Sequence, residues 1–450
     1  MGTIHHTKSS TPNIIQDLKV IIHDTITILP PQKSEKRSMF LSNIDQVLIF
    51  NVETVHFFEA NPEFPPDLVA EKLKSALSKA LVPYDFLAGR LRLNPESQRF
   101  EFDCNGAGAQ FVVGSSEFEL GQIGDLVYPN PGFRQLVQKS YDDLAMEDRP
   151  LCLTSFKCGG FALGVATNHA TFDGISFKAF LQNIASLAAD KPLAIVPCND
   201  RHLLAARSPP KIEFDHPELL KIPSGTSIPN PTVFDCPEGQ LDFKIFNLTS
   251  DDIARLKNEA KDGSGSNNAH NAKITGFNVV TAHVWRCKAL SSGSDFDPER
   301  VSTVLYAMDI RSRLNLPPSL AGNAVLSAYA SARCKEIAQG SLLKLVELVT
   351  EGANRMTPEY IHSTIDWGEV NKGFPNGEFL TSSWWRLGFA DVAYPWGKPR
   401  YSCPVVYHRK DIILLFPDIV GISSNEVNVL VALPSKEMEK FEALFHKFLA

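Results

Sequence analysis

Several features that would point directly to a function are missing from this sequence of 450 residues. Its eight cysteines lie far apart and form no Cys-x-x-Cys pair, whereas disulfide frameworks and zinc sites use closely spaced ligands. No apolar run approaches the roughly eighteen residues of a membrane span. The first residues, Met1 to Thr11, lack the apolar segment of a signal peptide. We therefore expect a reduced, cytoplasmic protein without a membrane span.

Basic residues are also few. The chain has 44 lysines and arginines against 51 acidic residues, which gives a net charge of −7, and the basic residues are scattered. Proteins that bind nucleic acid or anionic membranes usually carry a clustered positive surface. We therefore expect small-molecule partners and no nucleic acid.

The short motifs of several enzyme classes are absent as well. The sequence has no G-x-S-x-G elbow, no glycine-rich phosphate loop of the P-loop or dinucleotide type, and no H-E-x-x-H. These absences argue against a serine hydrolase, a nucleotide-binding enzyme and a zinc peptidase. We expect neither a metal nor a bound cofactor.

Apolar periodicity of both the helical and the strand type is present. Leu68–Leu81 and Ile175–Ala188 have the spacing of amphipathic helices, and Leu151–Thr167 has the composition of a buried strand bent at Gly159-Gly160. Further strands are predicted at Gln46–Phe50, Val55–Phe58, Thr303–Asp309, Ile412–Phe416 and Val427–Leu433, and further helices at Thr281–Leu290 and Ser435–Leu449.

A proline-rich segment divides the chain. Nine prolines fall in the 46 residues from Pro192 to Pro237, a density that excludes a helix interior or a central strand. We interpret residues 191–240 as a crossover loop between an N-terminal domain, 1–190, and a C-terminal domain, 241–450. Lys261–Lys273 is predicted to be a polar loop. The fold class is α/β, with two mixed-sheet domains of similar size.

Two His-x-x-x-Asp pairs occur, His169 with Asp173 and His362 with Asp366. The spacing alone is almost uninformative, so the context has to separate them. His169 ends the apolar strand and Asp173-Gly174 opens the next helix, which predicts a turn that projects into a cleft, with Asp173 as the N-cap. His362 lies among polar residues, and we expect it to have no functional role.

A histidine at such a turn can act as a general base without covalent catalysis. Asp173 would then either orient His169 or face away and hold the turn in place. The residues alone leave both roles open.

Six ordered segments, none of them specific alone, form a recognisable series. They are LSNID (41–45), LVPYDFLAGRL (81–91), FKCGGFALGVATNHATFDG (156–174), AHVWR (282–286), DIRSR (309–313) with Gly322-Asn323, and YPWGKP (394–399). With these segments the chain resembles the plant BAHD family of acyl-CoA-dependent acyltransferases over most of its length.

The resemblance implies a chloramphenicol-acetyltransferase-like fold with an active-site tunnel between its two domains. It implies a monomer that transfers an acyl group, hydroxycinnamoyl or another aromatic or aliphatic group, from acyl-CoA as co-substrate to an alcohol or, less favoured, an amine. His169 would be the general base, and no acyl-enzyme would form.

The resemblance also assigns supporting residues. Asp173 would anchor the turn through an arginine, for which Arg313 is the candidate, and Gly174 would leave room beside the base. Ser382 and Trp384 would face the reacting carbonyl.

The YPWGKP segment departs from the family pattern D-F-G-W-G-K-P. Trp396 and Gly397 match, but Ala393 stands where the pattern has an aspartate that pairs with an arginine. Asp391 would share a strand face with that position and could replace the carboxylate.

Two alternatives to an active acyltransferase are considered. A non-catalytic binding or scaffold relative is favoured only by the Ala393 departure. A carrier-protein-dependent condensation domain would share the turn but usually has a second histidine before the base, where this chain has Asn168.

Overall fold

The computed structural model describes residues 15–32, 35–127, 130–137, 151–222, 241–262, 274–293, 296–405, 412–419 and 425–450. The strands in chain order are β1 Ile21–Ile28, β2 Arg37–Met39, β3 Asn51–Phe58, β4 Arg90–Leu93, β5 Phe100–Cys104, β6 Ala109–Ser116, β7 Leu151–Phe156, β8 Phe161–Asn168, β9 Leu219–Lys221, β10 Asp242–Leu248, β11 Val301–Asp309, β12 Val325–Arg333, β13 Gly373–Pro375, β14 Phe379–Ser383, β15 Tyr401–Pro404, β16 Ile412–Pro417 and β17 Val427–Leu433. The α-helices are α1 Asn43–Gln46, α2 Pro66–Ala80, α3 Gly174–Ala188, α4 Ser250–Asp262, α5 Gly276–Ser291, α6 Cys334–Gln339, α7 Leu342–Arg355, α8 Pro358–Val370 and α9 Ser435–Lys447.

Two six-stranded mixed sheets form the framework. The first has the order β1-β6-β7-β8-β3-β15 and the second the order β10-β17-β16-β14-β11-β12. Most neighbouring strands are antiparallel, while β6 with β7, β11 with β14, and β14 with β16 are parallel. This arrangement confirms the predicted α/β class with two mixed sheets of similar size.

One strand crosses between the two halves of the chain. β15 lies in the C-terminal half of the sequence but pairs with β3 in the first sheet, so that Tyr401 lies opposite Phe57 and Pro404 opposite Thr54. The division at residues 191–240 therefore does not separate the sheets completely. Residues 401–404 complete the edge of the N-terminal sheet and tie the halves together by backbone hydrogen bonds.

The predicted helices form because each has one apolar face. α3 buries Phe180, Leu181 and Ile184, residues at the three- and four-residue spacing of one helix face. Its N-cap is Asp173, whose side chain accepts a hydrogen bond from the backbone N–H of Ser176. None of the helices in the described ranges is long and apolar enough to cross a bilayer.

Two predicted strands differ from the structure. Gln46–Phe50 is not a strand, because a capping box between Ser42 and Asp45 closes the short helix α1 and the chain becomes extended only at Asn51. Leu151–Thr167 is two strands rather than one. The chain reverses between β7 and β8, where Gly159 has φ +83°, a conformation that glycine adopts without steric strain.

Within the described part of the crossover, residues 191–222, the segment 207–214 docks on α8. The Asp366 carboxylate accepts hydrogen bonds from Arg207 Nε at 2.6 Å and from the Lys211 backbone N–H at 2.7 Å, and β9 pairs with β13. Asp366 is thus fully engaged in structural bonds. Residues 223–240 of the crossover and 263–273 of the predicted polar loop lie outside the described residues.

Gly164 provides a test of how closely β8 packs. A Cβ added there would lie 2.1 Å from the Leu136 carbonyl oxygen, whereas one added at Gly121 would have no neighbour within 4 Å. We expect Gly164→Ala to lower the free energy of unfolding by about 1–3 kcal/mol, since the backbone has to move to admit the methyl group. Urea denaturation measures the change, with Gly121→Ala as the matched control. Equal stability of the two variants would contradict the close approach.

Candidate active site

A cavity of about 1030 Å³ lies between the two sheets. The N-terminal half supplies Thr54 from β3 and His169 and Gly174 from the turn after β8, while the C-terminal half supplies Ser382 and Leu414 from β14 and β16. The structure therefore brings His169 to the interface of the two halves.

The turn after β8 directs His169 into this cavity. The His169 backbone N–H donates to the Phe50 carbonyl at 2.7 Å, which extends the pairing of β8 with β3 by one residue. Asn168 Oδ1 then accepts a hydrogen bond from the Ala170 N–H and starts the turn. The His169 side chain is partly buried and its ring packs against Phe50 at 5.1 Å between centroids.

Hydrogen bonds from Asn323 determine which ring nitrogen of His169 is free. Asn323 Nδ2 lies 2.8 Å from both the His169 carbonyl oxygen and Asp45 Oδ1. The carbonyl oxygen and the Asp45 carboxylate, which pairs with Arg201, are both acceptors. The amide is thereby oriented with Oδ1 toward His169 Nδ1, at 3.0 Å. Because Oδ1 cannot donate, Nδ1 carries the proton and Nε2 keeps its lone pair.

Burial lowers the pKa of His169 from its ordinary value. The loss of hydration outweighs the opposing influence of its own backbone, of the Asp173 charge, of the Asn323 hydrogen bond and of the Asp45 charge. His169 is therefore neutral at neutral pH, with the tautomer that a general base needs.

A buried ion pair that contacts Asn323 stabilises this arrangement. Asp45 Oδ1 lies 3.3 Å from Arg201 Nη1, and both side chains are almost completely inaccessible. Arg201 also donates to the carbonyls of Ala170 and Thr171 in the turn. The supporting roles of these residues were not predicted: Asp45 and Asn323 were noted only within motifs, and Arg201 lies in the proline-rich crossover. The capping-box pattern Ser42-x-x-Asp45 was the available signal for Asp45.

Asp173 holds the turn and makes no hydrogen bond to the His169 ring. Its Oδ2 lies 2.8 Å from Arg311 Nη1 and accepts the Ala324 N–H at 2.9 Å, while its Oδ1 accepts the Ser176 N–H at 2.9 Å. Of the two roles left open, the geometry corresponds to holding the turn in place.

The arginine partner of Asp173 is Arg311, which corrects the prediction of Arg313. β11 ends at Asp309 and the chain enters a turn at Arg311, so residues 311 and 313 do not share a face as they would on a strand. The Arg311 guanidinium is buried between Asp173 and Asp309, whereas Arg313 reaches, among the described residues, only the Ala353 carbonyl at 3.5 Å.

Gly174, Ser382 and Trp384 all line the cavity. A Cβ on Gly174 would meet the Leu387 side chain at 2.5 Å, so glycine allows the loop after β14 to approach α3. Ser382 Oγ and the Trp384 indole N–H have no hydrogen-bond partner among the described residues, while the Trp384 ring packs edge-on against Phe389 at 5.5 Å. Both groups therefore keep a free donor at the cavity wall.

The YPWGKP segment is a tight turn away from the cavity. The backbones of Tyr394 and Gly397 exchange hydrogen bonds of 3.0 and 3.1 Å, and Gly397 has φ +123°. Trp396 is buried and stacks on Tyr394 at 5.2 Å between centroids. Trp396 and Gly397 thus have structural positions.

Asp391 does not replace the missing aspartate. It ends a short 3₁₀ helix, Phe389–Asp391, rather than lying on a strand, and its side chain is exposed. No lysine or arginine of the described ranges pairs with it. The two buried arginines of the described residues, Arg201 and Arg311, each have a carboxylate partner, so Ala393 leaves neither of them unpaired.

Known proteins are similar in sequence to this chain over most of its length. A model described as the Transferase family matches residues 18–447. Acyltransferase GLAUCE of Arabidopsis thaliana is 56% identical over 452 residues, which cover 98% of this chain and 99% of the relative. Omega-hydroxypalmitate O-feruloyl transferase of the same plant is 31% identical over 443 residues, covering 95% and 93%.

Solved structures share the fold. Vinorine synthase has a TM-score of 0.72 at 22% identity, with 94% of this chain and 96% of that chain covered. F. graminearum TRI101, complexed with coenzyme A and T-2 mycotoxin, has a TM-score of 0.72 at 13% identity, with 91% and 97% covered.

The corrected pairing of Asp173 predicts a contrast between two arginines. We expect Arg311→Ala to lower the free energy of unfolding by about 3–5 kcal/mol, because it leaves the buried Asp173 carboxylate without its cation. Arg313→Ala should change it by less than about 1 kcal/mol. Thermal and urea denaturation of the two variants provide the measurement. A larger loss in Arg313→Ala would restore the original assignment.

Proposed function

The chain belongs to the BAHD acyltransferase family, and from this premise we propose that it transfers an acyl group from an acyl-CoA thioester to a hydroxyl group of a small molecule. One observation carries the proposal. A neutral His169, protonated on Nδ1 by its contact with Asn323, lies in the cavity with Nε2 free. That arrangement suits a general base and serves no evident structural purpose.

In the proposed reaction, His169 Nε2 removes the proton of the acceptor hydroxyl as its oxygen attacks the thioester carbonyl. The tetrahedral intermediate then expels the CoA thiolate, and the proton on Nε2 passes to the leaving sulfur. Base catalysis of this kind contributes about 10²–10⁴-fold. The free donors of Ser382 and Trp384 are suited to stabilise the oxyanion.

No covalent acyl-enzyme is part of this scheme. Cys158 is exposed on the hairpin between β7 and β8, and neither it nor any other cysteine in the described ranges lines the cavity. Both substrates must therefore be bound together, and we expect sequential kinetics through a ternary complex. A trapped acyl-enzyme would contradict the scheme.

The substrate class is proposed from the relatives. A feruloyl transferase that acts on oxygen is 31% identical, which supports a hydroxycinnamoyl donor and an alcohol acceptor, with an amine as the less favoured acceptor. The complex of TRI101 with coenzyme A supports acyl-CoA as the co-substrate. We also propose a cytoplasmic location, because the cysteine spacing offers no disulfide framework. We further propose a monomer, as the family resemblance implies, and light scattering after gel filtration tests this oligomeric state.

A non-catalytic scaffold is the alternative. It was favoured by the Ala393 departure, but both buried arginines in the described ranges have a carboxylate partner. No observation now favours it over catalysis.

Release of free CoA tests the proposal directly. We expect the wild-type protein to release CoA from hydroxycinnamoyl-CoA when pooled plant alcohols are added, with the ester identified by mass spectrometry. His169→Ala should reduce the rate by at least about 100-fold, while His362→Ala, outside the cavity, should retain it. Equal losses in the two variants, or no CoA release from the wild type with any acceptor, would reject the assignment.

The lowered pKa of His169 predicts the pH profile. A base has to be deprotonated, so kcat/KM should rise with pH and level off, and the rise should lie below the ordinary histidine pKa of 6.5. Burial also lowers the pKa of His56 and His283 to about 3. Below pH 6.5 the unfolded chain therefore binds more protons at these residues than the folded chain does, so acid lowers the stability of the fold. Thermal unfolding at each pH is therefore the control. A rise centred above pH 6.5 would contradict a buried neutral base.

A further inference from the structure

Two buried oxygen atoms at the cavity wall have no hydrogen-bond partner among the described residues. They are Glu218 Oε2 and Asn43 Oδ1, and their residues are 1% and 9% exposed. Both atoms are acceptors, whereas the unpaired donors of the described wall, on Ser382 and Trp384, belong to residues that are only half-buried. Because a buried polar atom without a partner is unfavourable, this pattern indicates that a bound molecule supplies donors.

The partners of Glu218 leave its second oxygen available. Ser363 Oγ accepts two backbone N–H groups, from Glu213 at 2.9 Å and Phe214 at 3.3 Å, so its own proton goes to His216 Nε2 at 2.9 Å. His216 then donates Nδ1–H to Glu218 Oε1 at 3.0 Å.

Oε1 of Glu218 also accepts the Tyr360 hydroxyl at 2.8 Å. Two donors thus hold one oxygen of the carboxylate in position, and no lysine or arginine of the described ranges forms an ion pair with it. The carboxylate is firmly placed, and its Oε2 has no hydrogen-bond partner among the described residues.

Asn43 has an equally defined orientation. Its Nδ2 donates to the Ile365 carbonyl at 2.9 Å and to Glu369 Oε2 at 3.0 Å, which leaves Oδ1 as the unpaired atom. Glu218 contacts α8 at Tyr360 and Asn43 contacts it at Ile365. Five residues of helix correspond to about 7.5 Å of rise, so the two acceptors follow the same helix along the cavity.

Charges on the cavity wall also favour a donor-rich molecule over an anion. The wall includes five acidic residues; Asp173 and Asp309 pair with Arg311, and Glu369 pairs with Arg99. The basic residues on the wall are Arg99 and Lys372. The acidic ones are Glu53, Asp173, Glu218, Asp309 and Glu369.

We propose that Glu218 recognises the acceptor substrate, accepting through Oε2 a hydrogen bond from a hydroxyl or protonated amino group that the acceptor carries besides the group that is acylated. Asn43 Oδ1 provides a second such contact. The inference rests on the proposed acyl transfer and names the acceptor class: a molecule with at least two donor groups, neutral or cationic rather than anionic.

The test compares acceptors of matched length. The probes are α,ω-diols, ω-amino alcohols and mono-alcohols of about four to twelve carbons, offered with hydroxycinnamoyl-CoA. We expect the wild type to prefer the bifunctional acceptors, and the diol against amino alcohol comparison to show which donor is used. Glu218→Gln retains Oε1 but places an NH₂ group at Oε2, so the kcat/KM ratio of bifunctional to mono-alcohol acceptor should fall by about 10- to 100-fold.

Two control variants separate recognition from a structural role. Tyr360→Phe removes a hydrogen bond to Oε1 only, and Glu359→Gln alters an exposed residue of α8 outside the cavity; both should retain the wild-type ratio. An unchanged ratio in Glu218→Gln, or the same change in Tyr360→Phe, overturns the proposal. If Glu218→Gln folds poorly, Glu218→Asp withdraws the carboxylate by one methylene and should shift the preferred diol to a longer chain; an unshifted preference is then the negative result.

Binding without acyl-CoA distinguishes this inference from the reaction itself. Calorimetry should detect the preferred diol or amino alcohol bound to the wild type and at least about tenfold weaker binding to Glu218→Gln. Binding of this kind without CoA release would leave the recognition intact and reject the acyl transfer. CoA release with no preference for a second donor group would support the acyl transfer and reject the recognition by Glu218.

Discussion

The turn that carries His169 depends on two buried carboxylates that join the halves of the molecule. Asp173 pairs with Arg311, and Asp45 pairs with Arg201 while accepting the amide of Asn323. Each carboxylate belongs to the N-terminal half, and its partners come from the crossover or the C-terminal half. Charges removed from water are tolerated only when they are paired and their remaining hydrogen bonds are made, so the halves must dock in one register for either pair to exist.

This requirement also explains the fixed position of the His169 ring. The same amide that bonds Asp45 directs its oxygen to His169 Nδ1, so that docking of the halves and selection of the imidazole tautomer are one event. β15 adds a second constraint, because its pairing with β3 carries the C-terminal half of the chain into the first sheet. The cavity between the sheets is therefore bounded by structure that forms only in the complete fold.

The unpaired polar atoms around the cavity are of two kinds, hydrogen-bond donors and hydrogen-bond acceptors. Ser382 and Trp384 line the cavity with donors that no described residue uses, and such donors suit a carbonyl oxygen that gains negative charge. Glu218 and Asn43, which both contact α8, line it with buried acceptors that have no described partner. The described wall thus carries unpaired polar groups of both kinds within a largely apolar cavity.

The sequence by itself determined what depends on neighbours within a few residues. The apolar spacing of Ile175–Ala188, the N-cap Asp173 and the strand before His169 are local patterns, and from them the helix, the turn and the candidate base were predicted. Only the tertiary structure decided the partners. Arg311 rather than Arg313 meets Asp173 because the chain turns after β11, and Asp391 stays exposed because its segment is a 3₁₀ helix. Asn323 supports His169 across 154 positions; such a contact depends on the path of the whole backbone, which no local pattern specifies.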